Sequence, residues 1–220
     1  MSDMPFNMPD ASHSFEERGG WLAWRLLEVF DLHRFQGCGI VGNLGYESGG
    51  LKTLQEIEPA VPGSRGGYGW AQWTGPRRRA FEAWAAAHVL EPSSDEANYG
   101  FLIYELRRDF DKMLDRLRET TTIEQAVFLV GRDYEAPGGT TDTHLPGFTD
   151  RLSYARRALF GAGATTPAAQ PRPDVIERIL AAERFHDGVQ AYQRSRGLRP
   201  DAVIGPLTLA ALGKDMRKPR

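Results

Sequence analysis

The feature that most constrains the fold is an apolar helical segment that begins after Gln36-Gly37 and ends in an acid. Ile40, Leu44 and Glu47 stand at positions i, i+4 and i+7, so they share one helical face. The segment also contains three glycines, which are poor helix formers: Gly39, Gly42 and Gly45. We therefore expect another backbone or a ligand to approach this helix closely.

Glu47 continues an apolar stripe, and this position predicts its chemistry. A carboxyl held against apolar surface has its charged form disfavoured, so it stays protonated nearer to neutral pH. Such a group can act as a general acid. Ser48 follows it directly, and a loop rich in glycine and aromatic residues follows at 67–74. The pattern predicts an acid that faces this loop.

Glu47-Ser48 followed by Gly-Tyr-Gly-Trp-Ala-Gln-Trp-Thr at 67–74 resembles the phage tail lysozyme family. More distantly, it is similar to goose-type lysozymes and lytic transglycosylases. The segment 133–138 is similar to the family's Tyr/Phe-Glu-x-Pro segment. The resemblance covers roughly residues 15–160. It implies an α+β, mainly α fold, with a small irregular or β lobe at 49–75.

The resemblance also implies roles for individual residues. Glu47 would be the general acid that cleaves the β-1,4 bond between N-acetylmuramic acid and N-acetylglucosamine. Ser48 would support this acid, and Gln72 would line the sugar cleft. Aromatic rings stack on sugars, although they also often belong to the core. Three aromatic residues are expected to contact the substrate: Tyr68, Trp73 and Tyr134.

The second catalytic group is left open by the sequence. Glycoside hydrolysis normally uses two carboxylates, and Glu56 and Glu58 follow Glu47 in the next loop. The interval between Glu47 and Glu56 matches that of the acid pair in one class of phage lysozymes. Glu135 and Asp142 are further candidates. In a lytic transglycosylase, Glu47 would be the sole acid and base.

Two functions of other classes compete with glycan cleavage. Cys38 with His88 or His144 could form a cysteine-dependent murein peptidase or amidase, provided that the thiol is exposed and activated. A non-catalytic wall-binding or tail protein is the other alternative. A single cysteine excludes an internal disulfide, and no histidine pair has zinc-site spacing. We expect no metal and no organic cofactor.

Composition divides the chain into five regions. Residues 1–13 are predicted to be a flexible N-terminus, and 14–160 the lysozyme-like catalytic domain. Residues 161–173 are rich in small residues and proline, which is typical of a linker. Residues 174–213 are predicted to be a small three-helix module, and 214–220 a basic tail.

The predicted module resembles peptidoglycan-binding helical modules. Its Val189-Gln190-Ala191-Tyr192-Gln193 and its Asp201-Ala202-Val203-Ile204-Gly205-Pro206 follow their pattern. Ala202 stands where that family usually has glycine, and the region is shorter than a full module. Binding to the cell wall is therefore expected through a truncated version of the pattern.

The distribution of charge along the chain limits the kinds of partner that we expect. The formal net charge is −2, but residues 151–220 carry 13 Lys and Arg against 6 Asp and Glu, which suggests an anionic partner. Cell-wall polymers, lipopolysaccharide and nucleic acid would qualify. We predict peptidoglycan and no nucleic acid, and we expect a monomer.

The location of the protein is predicted from its apolar segments. No apolar run approaches the ~20 residues that a membrane helix needs. Residues 1–10 lack the features of a signal peptide. We therefore expect the protein in the host cytoplasm before its release to the periplasm or cell wall, or in a virion.

Capping residues predict where several helices begin. Ser93 or Ser94 is expected to open one long helix that continues through Phe110 to Leu117. The other predicted starts are Ser14 with Glu17, Thr74 with Pro76, and Thr121 with Glu124.

Overall fold

The computed structural model describes residues 7–56, 63–136, 138, 140–164, 190, 193–195 and 197. The chain divides into two compact units: Phe6–Pro171, and Met1–Pro5 together with Arg172–Arg220. Most of the predicted wall-binding module at 174–213 lies outside the described residues, as does the basic tail. The account below concerns the first unit.

This unit is mainly helical, as the sequence predicts. Within the described part of the chain, the α-helices are α1 (Phe15–Phe30), α2 (Arg34–Glu47), α3 (Gly75–Ala87), α4 (Asp95–Asp109), α5 (Asp111–Arg118), α6 (Ile123–Val130) and α7 (Phe148–Ala164). A π-helical turn, Gly131–Glu135, continues α6. Among the described residues, no helix is both long and apolar enough to cross a membrane.

The helix starts follow the predicted caps, with three differences. One is α2, which begins at Arg34 and not after Gln36-Gly37 as predicted. Ser14 and Glu17 form the expected capping box, and Ser94 accepts a hydrogen bond from the backbone N–H of Ala97. The predicted long helix is two helices that meet at Phe110. The cap of α6 is Thr122 instead of Thr121, because the Thr122 hydroxyl accepts from Gln125 N.

The α2 helix is the centre of the unit, and α1, α6 and α7 pack around it. All its residues from Gln36 to Gly45 are buried. A Cβ atom on Gly39 would lie 2.7 Å from Ala126 Cβ, and one on Gly42 would lie 2.6 Å from Ala155 Cβ. The expected close approach of another backbone is therefore confirmed, since α6 and α7 contact α2 at these glycines.

Replacing Gly42 with alanine is expected to destabilise the protein by about 1–3 kcal/mol. The added methyl group would meet both Ala155 Cβ and the Arg151 carbonyl oxygen at 2.6 Å, so α2 and α7 would have to separate. That cost exceeds the gain of about 1 kcal/mol in helix propensity. Urea unfolding measures the difference. Gly138→Ala is the control, because among the described residues no atom lies within 4 Å of a Cβ there. An equal effect of both variants would contradict the packing argument.

The region between α2 and α3 is a folded-back loop. Within its described residues, 49–56 and 63–74, strand pairing is limited to two isolated antiparallel bridges, Gln55 with Tyr68 and Tyr68 with Trp73. Arg78 fixes the loop to α3, since its guanidinium donates to the carbonyl oxygens of Arg65 and Gly66. The small lobe that the resemblance implied is thus held mainly by side-chain contacts to backbone.

Candidate active site

Glu47 is the last residue of α2, and its side chain is 23% exposed. The helix ends here because the Ser48 side chain forms hydrogen bonds with backbone groups on both sides of the helix end. The Ser48 hydroxyl donates to the Leu44 carbonyl at 2.6 Å and accepts from the Leu51 N–H at 3.0 Å. Ser48 is buried, and it fixes the chain direction immediately after Glu47.

An arginine from α7 holds the Glu47 carboxyl. Arg151 Nη2 donates to Glu47 Oε1 at 2.6 Å, and the Arg151 side chain is only 1% exposed. The same guanidinium donates to Asn43 Oδ1 at 2.9 Å and to the Pro146 carbonyl at 3.1 Å. Arg151 also lies over the ring of Tyr46, with 4.3 Å between the guanidinium carbon and the ring centroid.

This ion pair corrects the expected surroundings of Glu47. The helical spacing predicted an apolar setting, but the structure gives the carboxyl a buried cationic partner. A charge-assisted hydrogen bond of this length is strong and fixes the orientation of the carboxyl. The sequence contains a sign that Arg151 faces the core. Arg151, Ala155 and Ala158 stand at i, i+4 and i+7, so the arginine shares one face of α7 with two small apolar residues.

Asn43 links the ion pair to the π-helical turn. Its amide nitrogen donates to the carbonyl oxygens of Gly39 and Val127, so the side chain bridges α2 and α6. A Cβ atom on Gly131 would lie 2.9 Å from Asn43 Oδ1. The turn that contains Tyr134 and Glu135 therefore packs directly against the residues that position Glu47.

The π-helical turn ends at Glu135. Ala136 follows in the left-handed conformation, with φ 44°, and its N–H donates to the Gly131 carbonyl. Short π-helical segments within α-helices are rare and frequent at functional sites. Glu135 as a residue is half-buried, and its Oε1 atom is buried without a hydrogen-bond partner among the described residues.

The environment of Glu135 opposes its ionisation. Burial raises its pKa first, and the negative charge of Glu47 raises it further. The positive charges of Arg77 and Arg151 act in the opposite direction but do not compensate. The pKa of Glu135 is thereby raised to about 8.

A buried polar network adjoins this site. The Glu105 carboxylate accepts from Arg77 Nε at 2.7 Å and Nη2 at 2.9 Å. It also accepts from Trp73 Nε1 at 2.9 Å and from the Tyr134 hydroxyl at 2.8 Å. Glu105 thus joins α4, the loop before α3 and the π-helical turn, and no motif in the sequence pointed to it.

Trp73 and Tyr134 are too buried in this structure to make the sugar contacts predicted for them. Trp73 is fully buried and Tyr134 is 2% exposed. The Trp73 ring packs against Phe81 and Phe101, with centroids 4.6 and 5.0 Å apart. With their hydrogen-bonding groups turned to Glu105, both rings belong to the core in this conformation, where they support the loop and the turn.

The other predicted site residues have separate positions. Tyr68 is half-buried, with the Arg78 guanidinium 4.9 Å from its ring centroid. Gln72 donates from Nε2 to the carbonyl oxygens of Leu54 and Gly69, so it ties the loop together. Glu56 accepts the Gly67 N–H at 2.7 Å, and no interaction links it to Glu47. Glu58 lies outside the described residues.

The alternative nucleophile is poorly placed. Cys38 lies inside α2 and is fully buried. Burial raises the pKa of its thiol to about 12, so the reactive thiolate is strongly disfavoured. Among the described residues, no three His, Cys, Asp or Glu side chains form a group that could hold a metal ion.

Comparison with known proteins gives one family. The model of the family described as phage tail lysozyme matches residues 23–159 of the chain. The match includes Glu47, Arg151, Glu105 and Glu135. A search of curated proteins finds no match.

Proposed function

From the premise that this chain belongs to the phage tail lysozyme family, we propose that it cleaves the glycan strands of peptidoglycan at Glu47. The family gives the protein a lysozyme-like, peptidoglycan-degrading role. The bond that we propose is the β-1,4 linkage between N-acetylmuramic acid and N-acetylglucosamine. Glu47 would protonate the leaving oxygen of this bond.

The observation that carries the proposal is the setting of Glu47. It is a partly exposed carboxyl at the end of a helix that is buried from Gln36 to Gly45, and a buried arginine orients it. A catalytic acid needs access to substrate together with a fixed position. Glu47 combines both properties, while Glu56 hydrogen-bonds to the loop backbone.

Two other functions have less support. A cysteine-dependent peptidase would need an exposed, activated thiol, whereas Cys38 is buried in α2. A non-catalytic wall-binding protein would have no use for an oriented carboxyl at this position. Binding of the wall by residues 174–213 stays a prediction from their sequence pattern. A monomeric state also stays a prediction, as does a location in the host cytoplasm before release to the periplasm or cell wall, or in a virion.

Mass spectrometry of the fragments released from purified sacculi tests the proposal. Hydrolysis would produce reducing N-acetylmuramic acid ends, because water adds across the broken bond. Lytic transglycosylation would instead produce anhydromuramic ends, because the sugar's own C6 hydroxyl closes the ring. Intact glycan with cut peptides would overturn the proposal.

A further inference from the structure

The charges around Glu47 do not balance. Within the described residues, three carboxyl groups, those of Glu47, Glu105 and Glu135, interact with two guanidinium groups, those of Arg77 and Arg151. These groups come from α2, α3, α4, α7 and the π-helical turn. If all five were ionised, this partly buried cluster would carry an uncompensated negative charge, which is costly.

Each arginine is already bound to one of the other two acids. Arg151 donates to Glu47, Asn43 and the Pro146 carbonyl. Arg77 donates twice to Glu105 and once to the Tyr134 carbonyl. Neither guanidinium makes a hydrogen bond to Glu135.

Among the described residues, Glu135 is therefore the acid of the three that has no hydrogen-bonded cation of its own. Its Oε1 atom is buried and lacks a hydrogen-bond partner in the described part of the chain. Its neighbour Arg132 is bound to Asp133, with Nε 2.7 Å from Oδ1, and so does not supply the missing charge. A carboxyl with a buried and unpaired oxygen atom is accommodated best as the neutral acid.

We propose that Glu135 is a proton-holding residue for Glu47: the two carboxyls carry one proton between them, and Glu135 holds it in the resting protein. The inference deepens the proposed function and rests on it for its catalytic meaning. Glu135 acts through Glu47 and is a positioning residue, since Glu47 is the acid that meets the sugar.

The proton balance of one turnover follows. The proton of the pair reaches the glycosidic oxygen through Glu47, and the bond from the anomeric carbon to that oxygen breaks. Water then donates its hydroxyl group to the anomeric carbon, and its remaining proton returns to the pair. In a transglycosylase, the C6 hydroxyl of the sugar replaces water and returns its proton in the same way. Either route restores the singly protonated pair.

Carboxyl titration by ¹³C NMR tests the proton assignment without using activity. In the full-length wild type, we expect one side-chain carboxyl to titrate near the value of about 8 that burial and Glu47 give Glu135. This signal should be absent in Glu135→Gln. In Glu47→Gln it should remain and shift to lower pH, because the neighbouring negative charge is gone.

Two NMR results would overturn the inference. One is a wild type in which no carboxyl titrates above about 6, the upper part of the range of ordinary carboxyls. The other is a high-titrating signal that persists in Glu135→Gln. If that variant failed to fold, the wild type and Glu47→Gln would decide the matter, since an unchanged titration in Glu47→Gln also contradicts a shared proton.

The pH profile of sacculus digestion supplies the functional test. Wild-type activity should fall as pH rises through the titration of the pair, because the last proton is then lost. In Glu135→Gln, this alkaline limb should move to lower pH, because no second acid then retains the proton. At neutral pH, the variant should digest sacculi about tenfold or more slowly than the wild type.

The control is Glu91→Gln, an exposed substitution in the loop before α4, which should leave the profile unchanged. A Glu135→Gln profile that is scaled down without a shift would indicate a structural role only and would overturn the inference. The proposed function fails separately, if the wild type releases no glycan ends. In that case, a carboxyl that titrates near pH 8 would still show that Glu135 is protonated in the resting protein.

Discussion

Replacing Glu47 with glutamine is expected to slow the digestion of sacculi by about 10²–10⁴-fold, the usual contribution of a general acid. Glutamine has nearly the same shape and can still accept the hydrogen bond from Arg151, but it cannot release a proton. The fold should survive with a lower stability, because Arg151 is 1% exposed and loses its charged partner. Turbidity loss of a sacculus suspension measures the rate, and circular dichroism measures the fold.

Glu91→Gln is the matched control for this variant, because it makes the same chemical change at an exposed position. It should digest sacculi at the wild-type rate. Digestion by Glu47→Gln at that same rate would remove Glu47 from the mechanism. A variant that loses both activity and helical signal would require Glu47→Asp, which keeps the acid but retracts it by one methylene group.

Replacing Glu105 with glutamine is expected to cause a large loss of stability, about 2–4 kcal/mol. The Glu105 side chain is 4% exposed and accepts from Arg77, Trp73 and Tyr134. Removing one partner of a buried ion pair typically costs about 3–5 kcal/mol. Arg77 is 32% exposed, so water compensates part of this cost.

Thermal unfolding would show the loss as a melting temperature lowered by roughly 5–15 °C. The fluorescence of Trp73 should change as well, because its indole N–H loses an ionised acceptor. The control substitution is again Glu91→Gln, for which we expect no shift. A Glu105→Gln variant as stable as the wild type would mean that the network does not hold the loop to the π-helical turn.

The sequence predicted best the features that depend on local rules. Backbone N–H groups at a helix start need acceptors, so Ser14 could be placed as one cap and either Ser93 or Ser94 as another. The glycines of α2 indicated close packing, because they have no advantage on an exposed helix. The helical spacing from Ile40 to Glu47 correctly placed the acid at the end of that helix.

The partners of the site residues could not be predicted in the same way. Arg151 meets Glu47 only because α7 packs across α2, and Glu105 meets Trp73 only because α4 packs behind the loop. Such pairings join residues that are far apart in sequence. The burial of Tyr134 depends on such long-range pairings too. Its residue type alone could not distinguish a place in the core from a place facing a sugar.

The most direct test of catalysis at Glu47 compares the glycan ends that the wild type and Glu47→Gln release from the same sacculi, measured by mass spectrometry. We predict new N-acetylmuramic acid ends, reducing or anhydro, with the wild type and none above background with the variant. Equal amounts of the same ends from both proteins would contradict the assignment of Glu47 as the catalytic acid.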